Sequence, residues 1–250
     1  MKLTIITITY NAEAVLEATL KSVFNQTNQN FEYWIIDGAS TDKTLEIAKK
    51  YKVKNIVSEA DKGIYDAMNK GLKLATGEYL WFLNAGDQIA DIEVVEKLHL
   101  AFKSNASIYF SDTELINQNG QILGLRSQLT PHLLPKKLHW RQFKYGMLVC
   151  HQSFIVKQKI APNYLLNHHY SADIDWEIKC LKASESTEYL FFYLSKYLIG
   201  GFSVKNLKAS LLDRFKILES HFGLFPTLFS HLQIAFRGLL FSIKNKGKYW

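Results

Sequence analysis

The chain has 250 residues, 48% hydrophobic and 14% aromatic, which supports one substantial core and excludes disorder, collagen and small disulfide scaffolds. Its net charge of +7 is concentrated at one end, where residues 205–250 carry eight Lys/Arg against two acids, so a nearly neutral body bears a basic tail and nucleic-acid binding is not expected. Two cysteines, Cys150 and Cys180, and no basic-then-apolar leader after Met1 predict buried thiols in a cytoplasmic protein.

The first half alternates β-rich apolar runs with helical periodicity, the pattern of an α/β sheet covered by helices. A strand is expected at Leu3–Thr9, then a helix capped by Asn11 and carrying Val15, Leu16, Leu20, Val23 and Phe24. A strand at Phe31–Asp37 leads through Gly38–Thr41 into a helix ending near Tyr51. A strand at Asn55–Ser58, a helix from Gly63 to Ala75 and a strand at Tyr79–Leu83 come next. After Asp87 the pattern predicts a helix over Ile92–Asn105, a strand at Ser107–Phe110 and a hairpin turning at Asn119-Gly120. Arg126–Tyr145, with Pro131 and Pro135, reads as a long functional loop. Beyond it, Met147–Val156 and Thr187–Leu198 look strand-like, with a helix at Ala172–Ala183 between them.

From Leu224 the apolar residues Leu224, Leu228, Leu232, Phe236, Leu239, Leu240 and Ile243 share one helical face, with Arg237, Lys244, Lys246 and Lys248 off it or beyond its end. Two placements are open: packing on the domain, or lying on an anionic lipid surface. No apolar run of about 18 residues is free of charge or Gln/His breaks, so a membrane-spanning helix is not expected.

In open α/β sheets ligands bind beyond the carboxyl ends of the strands. Four such ends are polar here: Thr9-Tyr10-Asn11, Asp37–Ser40, Glu59–Gly63 and Asn84–Asp87. The first turn lacks G-x-G-x-x-G, which argues against a nicotinamide or flavin dinucleotide. A nucleotide whose diphosphate is neutralised by a divalent metal suits the pattern better. Asp87, after YLWFLN, supplies the carboxylate a hard cation requires, although it could equally cap a turn.

The strings TIITITYNAEAVLEATLKSVFNQT, YWIIDGASTDKTLEI and EADKGIYDAMNKGLKLATGEYLWFLNAGD resemble the nucleotide-binding half of the inverting family 2 glycosyltransferases over about residues 1–112. The likeness is strongest to bacterial members that extend O-antigen, capsule or exopolysaccharide units. It implies a GT-A fold, a mixed but mostly parallel sheet flanked by helices, here followed by a C-terminal helical basic tail. The expected division is a nucleotide-sugar half at 1–112, an acceptor half at 113–203 and an amphipathic tail at 204–250.

Carried over residue by residue, the resemblance places Thr9, Tyr10, Asn11 and Asp37 on the uridine and Asp61 and Lys62 beside base and ribose. Asn84 to Asp87 occupies the place of the family's metal-binding D-x-D, with Asp87 as the carboxylate for Mg²⁺ or Mn²⁺ and Asn84 among the nucleotide-sugar-binding residues. Asn84 and Gly86 stand where carboxylates are frequent, which predicts modest metal affinity.

In the second half, SADIDWEIKCL resembles the acidic motif bearing the catalytic base. Asp173 takes that role, with Asp175 the runner-up, because an acceptor hydroxyl must lose a proton as it attacks the anomeric carbon. Asp112, His151 and Trp176 are candidates for the donor or acceptor cleft, with Gln152 beside His151 and Tyr170 beside the base.

The resulting expectation is an inverting transfer from a UDP-sugar to a lipid-linked saccharide at the inner face of the membrane, reached through residues 224–250. The alternatives are a non-catalytic nucleotide-sugar-binding or membrane-scaffold protein and a sugar nucleotidyltransferase. For the last, TYNAEAVLE lacks the expected glycine-rich basic loop.

Overall fold

A computed structural model describes residues 2–201 and 206–245. Strands β1 (Leu3–Thr9), β2 (Glu32–Asp37), β3 (Asn55–Ser58) and β4 (Tyr79–Phe82) alternate with helices α1 (Leu16–Phe24), α2 (Thr44–Lys50) and α3 (Ile64–Leu74). The next elements are β5 (Gln88–Ile89), α4 (Val94–Ala101), β6 (Ile108–Phe110), β7 (Glu114–Ile116), β8 (Ile122–Leu125) and the short α5 (Arg126–Leu129). β9 (Phe154–Lys157), α6 (Ala172–Ala183), β10 (Thr187–Tyr189), β11 (Ser195–Leu198), α7 (Leu207–Phe222) and α8 (Leu224–Lys244) complete the fold.

Seven strands form the main sheet in the order β10-β6-β9-β4-β1-β2-β3, with β9 antiparallel to both neighbours and every other pair parallel. Alternation along each strand splits the core in two. Ile6, Ile8, Leu80, Phe82, Phe110 and Phe154 face one layer with α3 and α6. Leu3, Ile5, Tyr79, Trp81, Tyr109 and Ile155 face the other with α1 and α4. A sheet buried on both faces calls for near-continuous apolar runs, as YLWF is; in LTIITIT the buried Thr4, Thr7 and Thr9 are instead bonded to Glu32, Tyr33 and Asp37. Each fully buried Leu, Ile or Phe contributes about 1.5–3 kcal/mol.

A second sheet, ordered β5-β11-β7-β8, is built from segments that follow β4, β6 and β10 of the first. Its β11 runs antiparallel to β5, which begins immediately after Asp87, and so closes over the end of β4.

Several boundaries differ from the sequence expectation. Asn11 does not cap α1; it takes a left-handed conformation (φ 47°), and its side chain accepts from the Thr41 N–H. Met147–Val156 is not one strand, because a 3-10 turn at His151–Ser153 precedes β9. Thr187–Leu198 divides into β10 and β11, which belong to different sheets. The expected loop contains α5 and a 3-10 segment at Trp140–Tyr145. Cys150 and Cys180 are free and buried.

The tail inverts the usual arrangement of an amphipathic helix. The seven apolar residues from Leu224 to Ile243 singled out above are 45–70% exposed, whereas Thr227 and Ser230 are buried and Arg237 bonds to the body at Tyr145 O. Of the two placements left open, the structure does not have this apolar face packed on the domain. Leu224–Lys244 is also long and apolar enough to cross a membrane by length and composition, contrary to the sequence expectation. Of the expected tail, residues 204, 205 and 246–250, with Lys246 and Lys248, lie outside the described residues.

Candidate active site

Because β4, β1, β2 and β3 are adjacent and parallel, the four polar strand ends lie along one rim. At its centre the Asp37 carboxylate accepts from Thr9 Oγ1 (2.9 Å) and Ser40 Oγ (2.5 Å) on Oδ1, and from Ser40 N–H (2.9 Å) and Ser58 Oγ (2.7 Å) on Oδ2. Burial pushes Asp37 up, but these hydrogen bonds outweigh it and hold the carboxyl below its usual range. Four donors fill the acceptor capacity of a carboxylate. Direct uridine contacts from Thr9 and Asp37 would cost bonds of this knot, and both residues are buried; they tie β1, β2 and β3 together instead.

The rim surface belongs to neighbouring residues. Tyr10 is 67% exposed. A methyl group on Gly38 would come within 2.6 Å of Asp61 Oδ2 and 3.3 Å of a Tyr10 ring carbon, so the bare glycine lets carboxylate and ring close in on the backbone. Asp61 Oδ1 accepts from the Gly63 N–H, and Gly63 needs φ 113° to start α3. Lys62 is exposed and anchors only its backbone, donating its N–H to Asp66. Asn11 is exposed but spends its side-chain oxygen on Thr41.

At the end of β4, Asp87 is 4% exposed and accepts from the Leu198 N–H (2.9 Å), with the Gln152 side chain also bonded to it. Burial pushes its pKa up to about 7 despite these bonds. Three residues away, Asn84 Oδ1 is buried without a hydrogen-bond partner. An unpaired amide oxygen beside a buried carboxylate is the oxygen donor set that a hard cation takes. No cluster of three or more His, Cys, Asp or Glu suited to a metal occurs among the described residues, so phosphate oxygens or water would have to complete the shell. Gly86 sits at φ 99°, a conformation that strains residues bearing a side chain, and a Cβ there would press on the movable Cδ2 of Leu198 at 2.8 Å.

On α6, Asp173 keeps partial exposure and accepts from Tyr65 Oη (3.3 Å) and the Ile174 N–H (3.0 Å). Burial raises its pKa; the charge of Arg214 and the Tyr65 bond oppose the rise without cancelling it. Asp175 has a different environment. It is 3% exposed, paired with Lys179 Nζ at 2.7 Å and His221 Nε2 at 2.8 Å, and these partners outweigh burial and keep it ionised below the usual range. The runner-up is thus a structural tie between α6 and α7.

The cleft candidates divide in the same way. Trp176 is fully buried, donates to Pro162 O and stacks on Tyr164 at 4.9 Å, so it offers no face to a sugar. Asp112 is 7% exposed and accepts from Thr113 N–H and Ser127 Oγ, which fixes the start of α5. His151 is enclosed by Phe82, Tyr164 and Trp176, bonds Tyr164 Oη at 2.8 Å and is pushed down to about 3 by burial, so it is neutral. Tyr170 is half-buried, its N–H donating to Asp213.

The family described as "Glycosyl transferase family 2" matches residues 4–164. A "PGL/p-HBAD biosynthesis glycosyltransferase" of Mycobacterium bovis is 30% identical over 205 residues, covering 77% of this chain and 75% of that protein. The chain belongs to glycosyl transferase family 2. Within this family, the Escherichia coli "UDP-Glc:alpha-D-GlcNAc-diphosphoundecaprenol beta-1,3-glucosyltransferase WfgD" is 33% identical over 119 residues, 46% of this chain and 47% of that one. Crystalline S. aureus TarS 1-349 in complex with UDP has the same fold, with a TM-score of 0.66 at 18% identity over 91% of this chain and 73% of that one. The mannosyltransferase PcManGT from Pyrobaculum calidifontis, with GDP-Man and Mn²⁺, follows at 0.64 and 13%, covering 93% of this chain and 69% of that one. The fold is GT-A.

In this family 2 chain, sequence reasoning missed Tyr65, Glu177 and Arg214. Glu177 lies one turn beyond Asp173 on α6, fully buried with neither carboxyl oxygen bonded, and burial followed by the Asp173 charge pushes it well above the carboxylate range. The i, i+4 spacing of Asp173 and Glu177 was the available signal. Arg214 gave none, since it lies on the tail and reaches Asp173 only through the fold.

Proposed function

We propose that the chain is an inverting transferase that moves a sugar from a UDP-sugar to a lipid-linked saccharide, with Asp173 as the base. The observation that carries this is the Asp173 environment. Its carboxyl is partly open, raised in pKa by burial and oriented by Tyr65, which suits a group that must take a proton from an acceptor hydroxyl. As the proton passes to Asp173, the hydroxyl oxygen forms its bond to the anomeric carbon from the face opposite the leaving group. The bond from that carbon to the diphosphate breaks, and the anomeric centre inverts. Tyr10 and Asp61, which meet beside Gly38 on the rim, would face the base and ribose.

Asp87, with Asn84 Oδ1 and the nucleotide's own phosphates, would hold Mg²⁺ or Mn²⁺, which when bound neutralises charge on the departing UDP. Mn²⁺ accompanies GDP-Man in PcManGT, UDP is bound in TarS, and WfgD is named for a UDP-Glc donor and a diphosphoundecaprenol acceptor.

The outward apolar face of α8 supports a peripheral position on an anionic bilayer, with the basic tail toward the head groups. A helix whose opposite face is bonded to the body through Arg237 lies on a membrane more readily than it crosses one.

The test is UDP release from UDP-sugars supplied with membrane lipid extract. Asp173→Asn should lower turnover about 10²–10⁴-fold while UDP binding persists. Wild-type turnover should fall on the acid side with a pKa above that of an ordinary aspartate. Unchanged turnover in the variant removes Asp173 from its role.

A further inference from the structure

The start of α6, where Asp173 sits, is not finished by its own residues. Ser171 holds the N-cap position, yet its side chain makes no capping bond. Its hydroxyl turns to α7 instead, 3.4 Å from both the side-chain oxygen and the carbonyl oxygen of Ser210. A helix leaves its first N–H groups without partners inside the helix, and a carboxylate beside them meets both that need and the helix dipole. Here α7 supplies it. Asp213 Oδ2 accepts from the Tyr170 N–H (3.0 Å) and the Ser171 N–H (3.1 Å), and Asp213 Oδ1 lies 2.6 Å from His168 Nδ1. All three partners belong to the segment 168–171 that leads into α6.

A second tie joins the same two helices further along. Asp175 Oδ1 bonds His221 Nε2 of α7 at 2.8 Å, and His221 Nδ1 lies 2.9 Å from Lys182 Nζ near the end of α6. Ser171 stands two residues before Asp173 and Asp175 two residues after it, so α7 holds the helix on both sides of the base. One tie fixes where α6 begins and the other fixes how it is turned about its axis. Together these decide where the Asp173 carboxyl points, and Tyr65 of α3 meets it there at 3.3 Å.

We propose that Asp213 is a positioning residue for the transfer: through segment 168–171 it holds the start of α6 so that Asp173 meets the acceptor hydroxyl. Asp213 acts through Asp173 and takes no proton from the substrate. α7 lies beyond residues 4–164, so this role is an addition to the family match. The proposal rests on the transferase reading above, in which Asp173 is the base.

The experiment measures kcat and KM for UDP release by the full chain with a UDP-sugar, Mn²⁺ and membrane lipid extract, beside UDP binding by calorimetry. Asp213→Ala should lower kcat about tenfold to hundredfold, the loss expected when a reacting group moves by about 1 Å, with UDP-sugar KM and UDP affinity unchanged. Asp213→Asn should recover most of that loss, because its amide oxygen accepts the same two N–H bonds while its NH₂ group faces His168. His168→Ala, at a partly exposed position, removes only the contact at Oδ1 and should lower kcat in the same sense but by less. In an Asp173→Asn background, Asp213→Ala should cost less than about twofold more, because residues that act as one unit are not additive.

An equal loss in both backgrounds overturns the positioning role, as does a wild-type kcat in Asp213→Ala or a loss confined to KM or UDP affinity. Asp213→Asn as impaired as Asp213→Ala overturns it too, since the two N–H bonds are what the carboxyl is assigned to make. If Asp213→Ala loses UDP binding and with it the fold, His168→Ala decides, and a wild-type kcat there overturns the role. Normal turnover in Asp173→Asn sinks the transferase reading beneath the proposal, whereas lowered turnover there with Asp213→Ala unaffected sinks the positioning role alone.

Discussion

Asp87 and Asp37 lie on one rim, after β4 and β2 with β1 between them, yet their surroundings drive their ionisation in opposite directions. Asp87 has lost water and gained too few donors, so its pKa rises from 3.8 to about 7. For a carboxyl raised in the folded state, the stability contribution is present below the unfolded pKa and is lost as pH climbs through the folded one. A divalent cation needs the deprotonated form, so its binding below about pH 7 must release a proton. Mn²⁺ affinity in the presence of UDP should therefore strengthen with pH up to about 7 and then level off, measured by calorimetry across that range. A flat profile would separate Asp87 from the metal. Asp37 has four donors and an opposite shift, consistent with a tie that must stay ionised. Such roles are only half legible in a sequence: Asp37, Asp87 and Asp173 can be picked out by their place after strands or at a helix start, but the donors around each come from remote segments.

Among elements, the packing of α3 against the sheet admits a direct test. Gly71 lies on the face of α3 pressed to β1, where an added methyl would come within 2.7 Å of Ile6 Cγ2. Gly71→Ala removes glycine's helix penalty of about 1 kcal/mol but overpacks a rigid contact, which typically costs about 1–3 kcal/mol. A lower thermal midpoint is expected, and an unchanged or higher one would mean that the sheet yields there. The first four strands were readable almost to the residue, because an apolar run of 4–7 residues between polar turns has few other uses, whereas α1 starts only at Leu16 and not after Asn11. The stretch from Met147 to Leu198 was not. Its apolar runs are broken by the 3-10 turn at His151 and by the crossing from β10 to β11, and both are set by which sheet offers a free edge.

For the whole molecule, the decisive question is what covers the outer faces of α7 and α8. Leu211 and Leu212 on α7 and Leu232 and Phe236 on α8 are each at least half exposed. Replacing Leu232 and Phe236 with glutamate should reduce recovery on anionic vesicles several-fold while leaving UDP binding intact, because neither side chain touches the rim. Equal flotation would leave the bilayer without a role.

By itself, the sequence determined the alternation that builds a doubly covered sheet, the line of polar strand ends and the family. Those depend on local periodicity and on motifs a few residues long. Only the tertiary structure decided which acids are spent on structure, that Leu198 comes to lie against Gly86, and that the amphipathic helix turns its polar side inward. Each of these depends on contacts between residues tens to more than a hundred positions apart, and such contacts leave no trace in the spacing of neighbours along the chain.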